Sequence, residues 1–205
     1  GTIVVINNGG GGIAAMNSDS LIEGNWITDN EADGTSGDGG GLMIDESYDH
    51  ARANLITYNW SRDNGDGVRL SSESAALFES NLVQDNYGHG VMVSHYNTSA
   101  IINNTIVGNT SVGFYVFICC GSIFSIPTAS NNIVAWNGTY GVYDNTGEGF
   151  TFTYNDVYGS GTANYGGYVM LHGVQGAYLQ KSFAKHGELH NRFAFGYFEH
   201  VPHKN

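Results

Sequence analysis

The sequence has few of the residues that mark a disulfide scaffold, a nucleic-acid-binding protein or a membrane protein. Two of its 205 residues are Cys and two are Pro, so it has no disulfide framework. Only seven residues are Lys or Arg against 19 Asp and Glu, which gives a formal net charge of −12. Phosphate binding needs basic clusters, so this composition argues against nucleic acid as a partner. No apolar run is long enough to span a membrane.

The acidity is uneven along the chain. Residues 1–164 carry 17 acidic and 3 basic residues, whereas residues 165–205 carry 2 acidic and 4 basic residues. A surface of this sign is a poor match for a bare polyanionic polysaccharide unless cations bridge the two.

The two cysteines are adjacent, at Cys119 and Cys120. Because neighbouring side chains of a strand face opposite sides, we expect one thiol in the core and the other exposed. A strained vicinal disulfide and a bond between chains are the alternatives.

What the sequence has in abundance is a repeat of Asn and Gly. The pattern Asn-x-(Ile/Val)-x-x-Asn occurs six times, with Ser in place of the second Asn in the last instance, and its first Asn residues are Asn25, Asn54, Asn81, Asn104, Asn132 and Asn155. The second positions are Asn30, Asn59, Asn86, Asn109, Asn137 and Ser160, and the accompanying glycines are Gly12, Gly41, Gly67, Gly90, Gly113 and Gly141. Steps of 23 to 29 residues for both markers indicate a repeat architecture.

The repeats predict stacked parallel strands. Each unit is too short and too polar to bury a core alone, so it must stack on its neighbours. Short alternating runs such as 67–71 and 90–94 are typical of strands, and no hairpin-type spacing joins them. Stacking about 4.8 Å apart produces two inward ladders, at Ile27, Ile56, Val83, Ile106, Val134 and Val157, and at Ile22, Ala51, Phe78, Ile101, Ala129 and Phe152.

The Asn and Gly columns are expected at the corners of the coils. A short amide side chain tolerates left-handed or bridge backbone angles and can hydrogen-bond to the coils above and below. Each Gly would occupy a place where a Cβ clashes.

With this consensus the chain resembles the right-handed parallel β-helix superfamily, which includes pectate-lyase-like and other carbohydrate-associated bacterial proteins. The resemblance covers residues 9–167, and 154–159 looks like a typical final coil. It implies an all-β, right-handed single-stranded parallel β-helix of about six coils at an extracellular or cell-surface location. The same pattern occurs in lyases, hydrolases, epimerases, adhesins and scaffolds, so the fold does not decide the function.

Two segments follow from the end of the repeat: a β-helix over residues 1–167 and a non-repeat C-terminal segment over 168–205. The run 177–186 has helix formers with amphipathic spacing. Because a solenoid end exposes its core, we expect a cap; a docking segment and a non-native tail are the alternatives. His186 and His190 have i, i+4 spacing for zinc, but Gly187 replaces the Glu of the metalloprotease motif.

A candidate site lies on the outer face of the Gly-led strands, where enzymes that this chain resembles usually work. The candidate catalytic residues are Asp45, Asp66, Arg69 and His89, and the candidate ligand-binding residues are His95, Tyr115, Tyr140 and Tyr143. Carboxylates or His can act as acid or base, Arg can hold the substrate, and aromatic faces can stack on sugars. The alternative is that these side chains only solvate an outward face.

A candidate calcium loop carries Asp29, Glu31, Asp33 and Asp38. The first three alternate before Gly34, like the start of a calcium loop, but Gly40 stands where the closing Glu belongs. A solvated acidic loop is the alternative. Calcium is therefore the one cofactor that the sequence suggests.

A second polar column, Glu23, Arg52 and Glu79, is predicted to be an ion ladder that supports the register.

The leading functional hypothesis is a secreted or cell-surface β-helix module that acts as a structural, self-associating or carbohydrate-binding scaffold rather than an enzyme. Its expected partners are a polysaccharide or another protein chain. Because the chain starts directly in a coil, end-to-end self-association is also predicted. The rival hypothesis is a polysaccharide lyase or glycoside hydrolase that uses the outer-face residues.

Overall fold

The computed structural model describes residues 11–33, 39–62, 67–117, 125–147 and 149–169. These residues form 21 short strands, β1 to β21, in parallel sheets. No helix long and apolar enough to cross a membrane is found in these ranges.

Three sheets make up the wall of a coil. The Gly-led sheet contains β1 (Ile13–Met16), β5 (Leu42–Asp45), β9 (Val68–Ser71), β12 (Val91–Ser94), β15 (Phe114–Phe117), β18 (Tyr140–Asp144) and β21 (Ala163–Gly167). The second sheet contains β2 (Leu21–Glu23), β6 (His50–Arg52), β10 (Leu77–Glu79), β13 (Ala100–Ile102), β16 (Thr128–Ser130) and β19 (Thr151–Thr153). The third contains β3 (Trp26–Thr28), β7 (Leu55–Thr57), β11 (Leu82–Gln84), β14 (Thr105–Val107), β17 (Ile133–Ala135) and β20 (Asp156–Tyr158). A short fourth pair is β4 (Glu31–Ala32) with β8 (Trp60–Ser61).

The register confirms the predicted inward ladders. Val83 pairs with Ile56 on one side and Ile106 on the other, and Phe78 pairs with Ala51 and Ile101. All six side chains are fully buried in one core cluster. The aliphatic columns therefore form the continuous core that a single repeat could not supply.

Two Asn ladders run along the coils. In the first, the Nδ2 of Asn54 donates to the Oδ1 of Asn81 at 2.9 Å and to the carbonyl of Ile22 at 2.8 Å. In the second, the Nδ2 of Asn59 donates to the Oδ1 of Asn86 at 3.0 Å. Each interior amide therefore links the coil before it to the coil after it, as the sequence predicts.

The backbone angles correct the sequence prediction for the corners. The left-handed residue is the one before each Asn: φ is +53° at Ala53, +54° at Tyr58 and +51° at Trp136, whereas the ladder Asn residues do not have positive φ. The amide side chains support the corner by hydrogen bonding, and the preceding residue adopts the costly conformation.

The glycine column is needed because of the Asn ladder. A Cβ built on Gly90 would lie 2.7 Å from both the Nδ2 of Asn109 and the carbonyl oxygen of Gly113. A Cβ built on Gly41 would lie 2.8 Å from the Nδ2 of Asn59. The two markers of the repeat are thus one packing unit, since each Gly leaves the space that an Asn amide fills.

The predicted ion ladder forms only in part. The Nε of Arg52 lies 3.0 Å from the Oε1 of Glu23, but Glu79 pairs instead with the Nε2 of His50 at 2.8 Å. Glu79 therefore contacts His50 at the start of β6 rather than Arg52, with which it is in register.

Candidate functional site

The outer face of the Gly-led sheet presents the predicted column in register. Its members, in chain order, are Ala14, Met43, Arg69, Met92, Tyr115, Tyr143 and Gly166. The column changes character along the axis, from aliphatic side chains and one Arg in the early coils to aromatic rings in the later ones.

The Arg69 side chain lies within the face rather than on it. Arg69 is 5% exposed, and its neighbours Met43 and Met92 are 5% and 1% exposed. Its Nη1 atom lies 3.8 Å from the sulfur of Met92. The guanidinium is therefore packed among long side chains, which leaves little of it accessible to a ligand.

Asp45, one column further along the strand, is half-buried. Its Oδ1 accepts a hydrogen bond of 2.7 Å from the hydroxyl of Ser71 on the next coil. Asp66, the other predicted carboxylate of this patch, lies outside the described residues, so the pair that glycoside hydrolysis needs stays a prediction.

His89 precedes β12 and is a neutral side chain. Its Nδ1 accepts a hydrogen bond of 3.3 Å from the backbone N–H of Val112. Burial, together with the positive charge of Arg69, lowers the pKa of His89 to about 4. At neutral pH the imidazole proton is therefore on Nε2, and the ring is a hydrogen-bond donor at that atom.

His89 is the first of four rings that contact one another in sequence. We call these rings, His89, Tyr115, Tyr143 and Tyr140, the aromatic row. Ring centroids are 4.8 Å apart for His89 and Tyr115, 5.7 Å for Tyr115 and Tyr143, and 4.9 Å for Tyr143 and Tyr140. The tyrosines are half-buried. The row spans three coils, and its rings support one another through tilted and edge contacts of favourable geometry.

Two further residues hold Tyr115 in place, and neither was predicted to belong to the site. Phe117 packs beside Tyr115, with ring centroids 5.6 Å apart. The Nδ2 of Asn145 donates to the Tyr115 hydroxyl at 3.2 Å.

Gly166 ends the column, and a Cβ there would lie 2.6 Å from ring atoms of both Tyr140 and Tyr143. The absence of a side chain leaves room for the two rings to lie over the last coil. The signal in the sequence was the column itself, in which a Gly follows two Tyr.

His95 is separated from His89 by the length of β12. It has a φ of +54° at the corner after the strand, and its Nδ1 lies 3.0 Å from the hydroxyl of Ser94. Six residues of extended chain span about 20 Å. The structure therefore does not bring the two histidines together.

The acidic loop does not gather its carboxylates within the described residues. Asp33 pairs with the Nε of Arg62 at 3.0 Å, the Oδ2 of Asp29 accepts from the hydroxyl of Thr28 at 2.8 Å, and Glu31 lies in β4. No group of three or more His, Cys, Asp or Glu suited to a metal ion occurs in the described ranges. Asp38 lies outside them, as do Cys119, Cys120 and residues 170–205, whose predicted roles stay predictions.

The fold and the repeat identify the class of protein. A family model described as "Right handed beta helix region" matches residues 3–106 and again 39–184. The chain therefore belongs to the right-handed β-helix family, which confirms the resemblance and the fold drawn from the Asn and Gly columns. No curated protein and no solved structure shows a match to this chain.

Proposed function

We propose that this β-helix is a non-catalytic carbohydrate-binding scaffold, acting outside the cell or on its surface, and that the aromatic row is its binding face. The observation that carries the proposal is the unbroken contact of His89, Tyr115, Tyr143 and Tyr140 across three coils. Aromatic rings offer flat apolar area with a polar edge, which is the surface that the faces and hydroxyls of a sugar complement.

The rigidity of the face supports this proposal. Tyr115 and Tyr143 stand on adjacent paired strands of a parallel sheet, and Asn145 holds the Tyr115 hydroxyl. A site built on strands with locked side chains loses little conformational entropy on binding.

The same geometry argues against acid–base catalysis by the predicted residues. A general acid or base works best with a pKa near the operating pH, whereas the pKa of His89 is lowered to about 4. Its Nδ1 already accepts a backbone hydrogen bond, and Arg69 is 5% exposed. A polysaccharide-active enzyme is therefore the second candidate function.

Glycan binding is tested with single substitutions in the row. Tyr115→Ala and Tyr143→Ala are compared with Tyr87→Ala, since Tyr87 is 56% exposed and lies off this sheet. In affinity gel electrophoresis against a glycan panel, we expect retardation by at least one glycan, weakened tenfold or more in the row variants and unchanged in Tyr87→Ala. Equal retardation of all four proteins would exclude this face.

Catalysis is tested in parallel by product analysis of the same incubations. Reducing ends and the ultraviolet absorbance of unsaturated products are followed over time, with and without calcium. We expect no product. Product formation that is lost in Arg69→Ala would establish the lyase hypothesis in place of the binding scaffold.

A further inference from the structure

We infer that the aromatic row selects neutral glycans and rejects uronate-bearing ones. This inference rests on the proposed function, because it names the ligand class of the same face. The selectivity would arise from charge, because of where the cations lie in the described part of the chain.

Each basic side chain in the described ranges is paired or buried. These ranges hold three Lys or Arg residues, all of them Arg. Arg52 lies 3.0 Å from Glu23, Arg62 lies 3.0 Å from Asp33, and Arg69 is 5% exposed. A uronate carboxylate therefore meets no accessible guanidinium or ammonium group on this part of the surface, whereas carboxylate recognition ordinarily uses such groups or a calcium ion.

Arg69, the cation beside His89 in the described part of the chain, is buried, and the other groups named on this face are neutral or negative. His89 is uncharged at neutral pH because burial and the charge of Arg69 lower its pKa to about 4, and Asp45 adds a carboxylate on the same outer face. The whole chain has a formal net charge of −12, so its field repels a polyanion. A uronate on the row would lose hydration without gaining an opposite charge.

A neutral sugar finds complementary groups on the same face. The rings of Tyr115, Tyr143 and Tyr140 offer flat apolar area to a sugar ring. The Nε2–H of His89 is a hydrogen-bond donor, and the carboxylate of Asp45, with Oδ1 bonded to Ser71, accepts at Oδ2. Hydroxyl groups can use both positions, because each is both donor and acceptor.

The test uses pairs of polysaccharides that differ only in charge. Polygalacturonate, alginate and glucuronan are each compared with their carboxyl-reduced neutral forms, together with neutral glucan, mannan and xylan. The full chain is used because the other four Lys and Arg residues lie after residue 180. Affinity is measured by titration calorimetry in low and in high salt, with a chelator present to exclude calcium bridges.

We expect at least one neutral polymer to bind tenfold or more tightly than its charged counterpart, and Tyr115→Ala to weaken that binding tenfold or more. Asp45→Asn should raise the affinity for the charged form several-fold in low salt, since it removes a repulsive charge. Equal or tighter binding of the uronate form in chelator, lost in Tyr115→Ala, would overturn the selectivity and leave the binding function standing. Absence of binding to every polymer, or binding unchanged in Tyr115→Ala, would overturn the proposed function itself.

Discussion

The Asn ladder makes a quantitative prediction at Asn86, a fully buried residue in the interior of the second ladder. Its side chain forms four hydrogen bonds. The Oδ1 accepts from the N–H and the Nδ2 of Asn59, both at 3.0 Å, and the Nδ2 donates to Ile56 at 3.1 Å and to Asn109 at 2.9 Å. Asn86→Ala removes all four and leaves the buried N–H of Asn59 without its acceptor.

The size of the effect follows from these bonds. A typical hydrogen bond contributes about 1 kcal/mol net, and an orphaned buried group costs about 1 to 3 kcal/mol. With the orphaned N–H of Asn59 costing about 1 to 3 kcal/mol and each of the other three bonds about 1 kcal/mol, we expect Asn86→Ala to lower the free energy of unfolding by about 4 to 6 kcal/mol. That is a large share of the stability of an ordinary domain, about 5 to 15 kcal/mol.

Asn25 supplies the matched control, because it is the same residue type in an exposed position at the start of the first ladder. Its side chain donates to Glu23 at 3.2 Å and to Asn54 at 3.0 Å, and water can replace both bonds. We expect Asn25→Ala to cost below about 1 kcal/mol. Urea unfolding followed by circular dichroism measures both variants against the unsubstituted protein.

A second substitution at Asn86 separates the donor from the acceptor. Asn86→Asp keeps the acceptor for Asn59 but places a carboxylate against two oxygens, so its cost should be at least as large at neutral pH and smaller once the carboxyl group is protonated. If Asn86→Ala and Asn25→Ala shift the urea midpoint equally, the buried hydrogen bonds of the ladder do not stabilise the coils.

Two further predictions concern strain and protonation. Tyr58 is 45% exposed with a φ of +54°, so Tyr58→Gly should raise the free energy of unfolding by about 0.5 to 1 kcal/mol. Tyr87→Gly, at an exposed site without positive φ, should lower it. Thermal melts that rank the two variants the other way would contradict the assignment of strain to Tyr58. The pKa of His89 is lowered to about 4 in the folded protein, against about 6.5 in the unfolded chain, so the unfolded chain binds the proton more readily. The contribution of His89 to the free energy of unfolding is therefore fully present above pH 6.5. It falls by at most about 3 kcal/mol as the pH drops toward 4. Melting temperatures across that range should fall less steeply for His89→Gln, and parallel curves for the two proteins would show that His89 does not titrate in this way.

The sequence predicts the register of the coils because the repeat leaves no freedom in it. Once the Asn columns are aligned, Ile56, Val83 and Ile106 must stack, and the structure pairs them directly. A slip of one residue would turn this aliphatic ladder outward. The same alignment correctly places Tyr115 beside Tyr143.

The sequence could not predict the left-handed corners at Tyr58 and Trp136, because bulky residues disfavour positive φ and local preference points elsewhere. The hydrogen bonds of the following Asn and the burial of the core override that preference. The positive φ angles at Tyr58 and Trp136 therefore depend on tertiary contacts and not on local sequence preference.

The accessibility of the site was likewise decided by packing. The outward direction of Arg69 follows from the strand period, but its 5% exposure depends on how Met43 and Met92 lie against it. The neutral state of His89 follows from that same burial and from the nearby guanidinium. Neither quantity is encoded in residue spacing.

By itself, then, the amino-acid sequence determined the coil, its register and the order of side chains along each face, since a fixed period with Asn and Gly markers allows one stacking. Tertiary structure alone decided which of those side chains a ligand can reach and how they pair: Glu79 turns to His50 rather than Arg52, and the rings from His89 to Tyr140 close into one row. The physical reason is that backbone hydrogen bonds fix positions along the chain, whereas exposure, charge state and pairing depend on side chains that meet only after the coils have stacked.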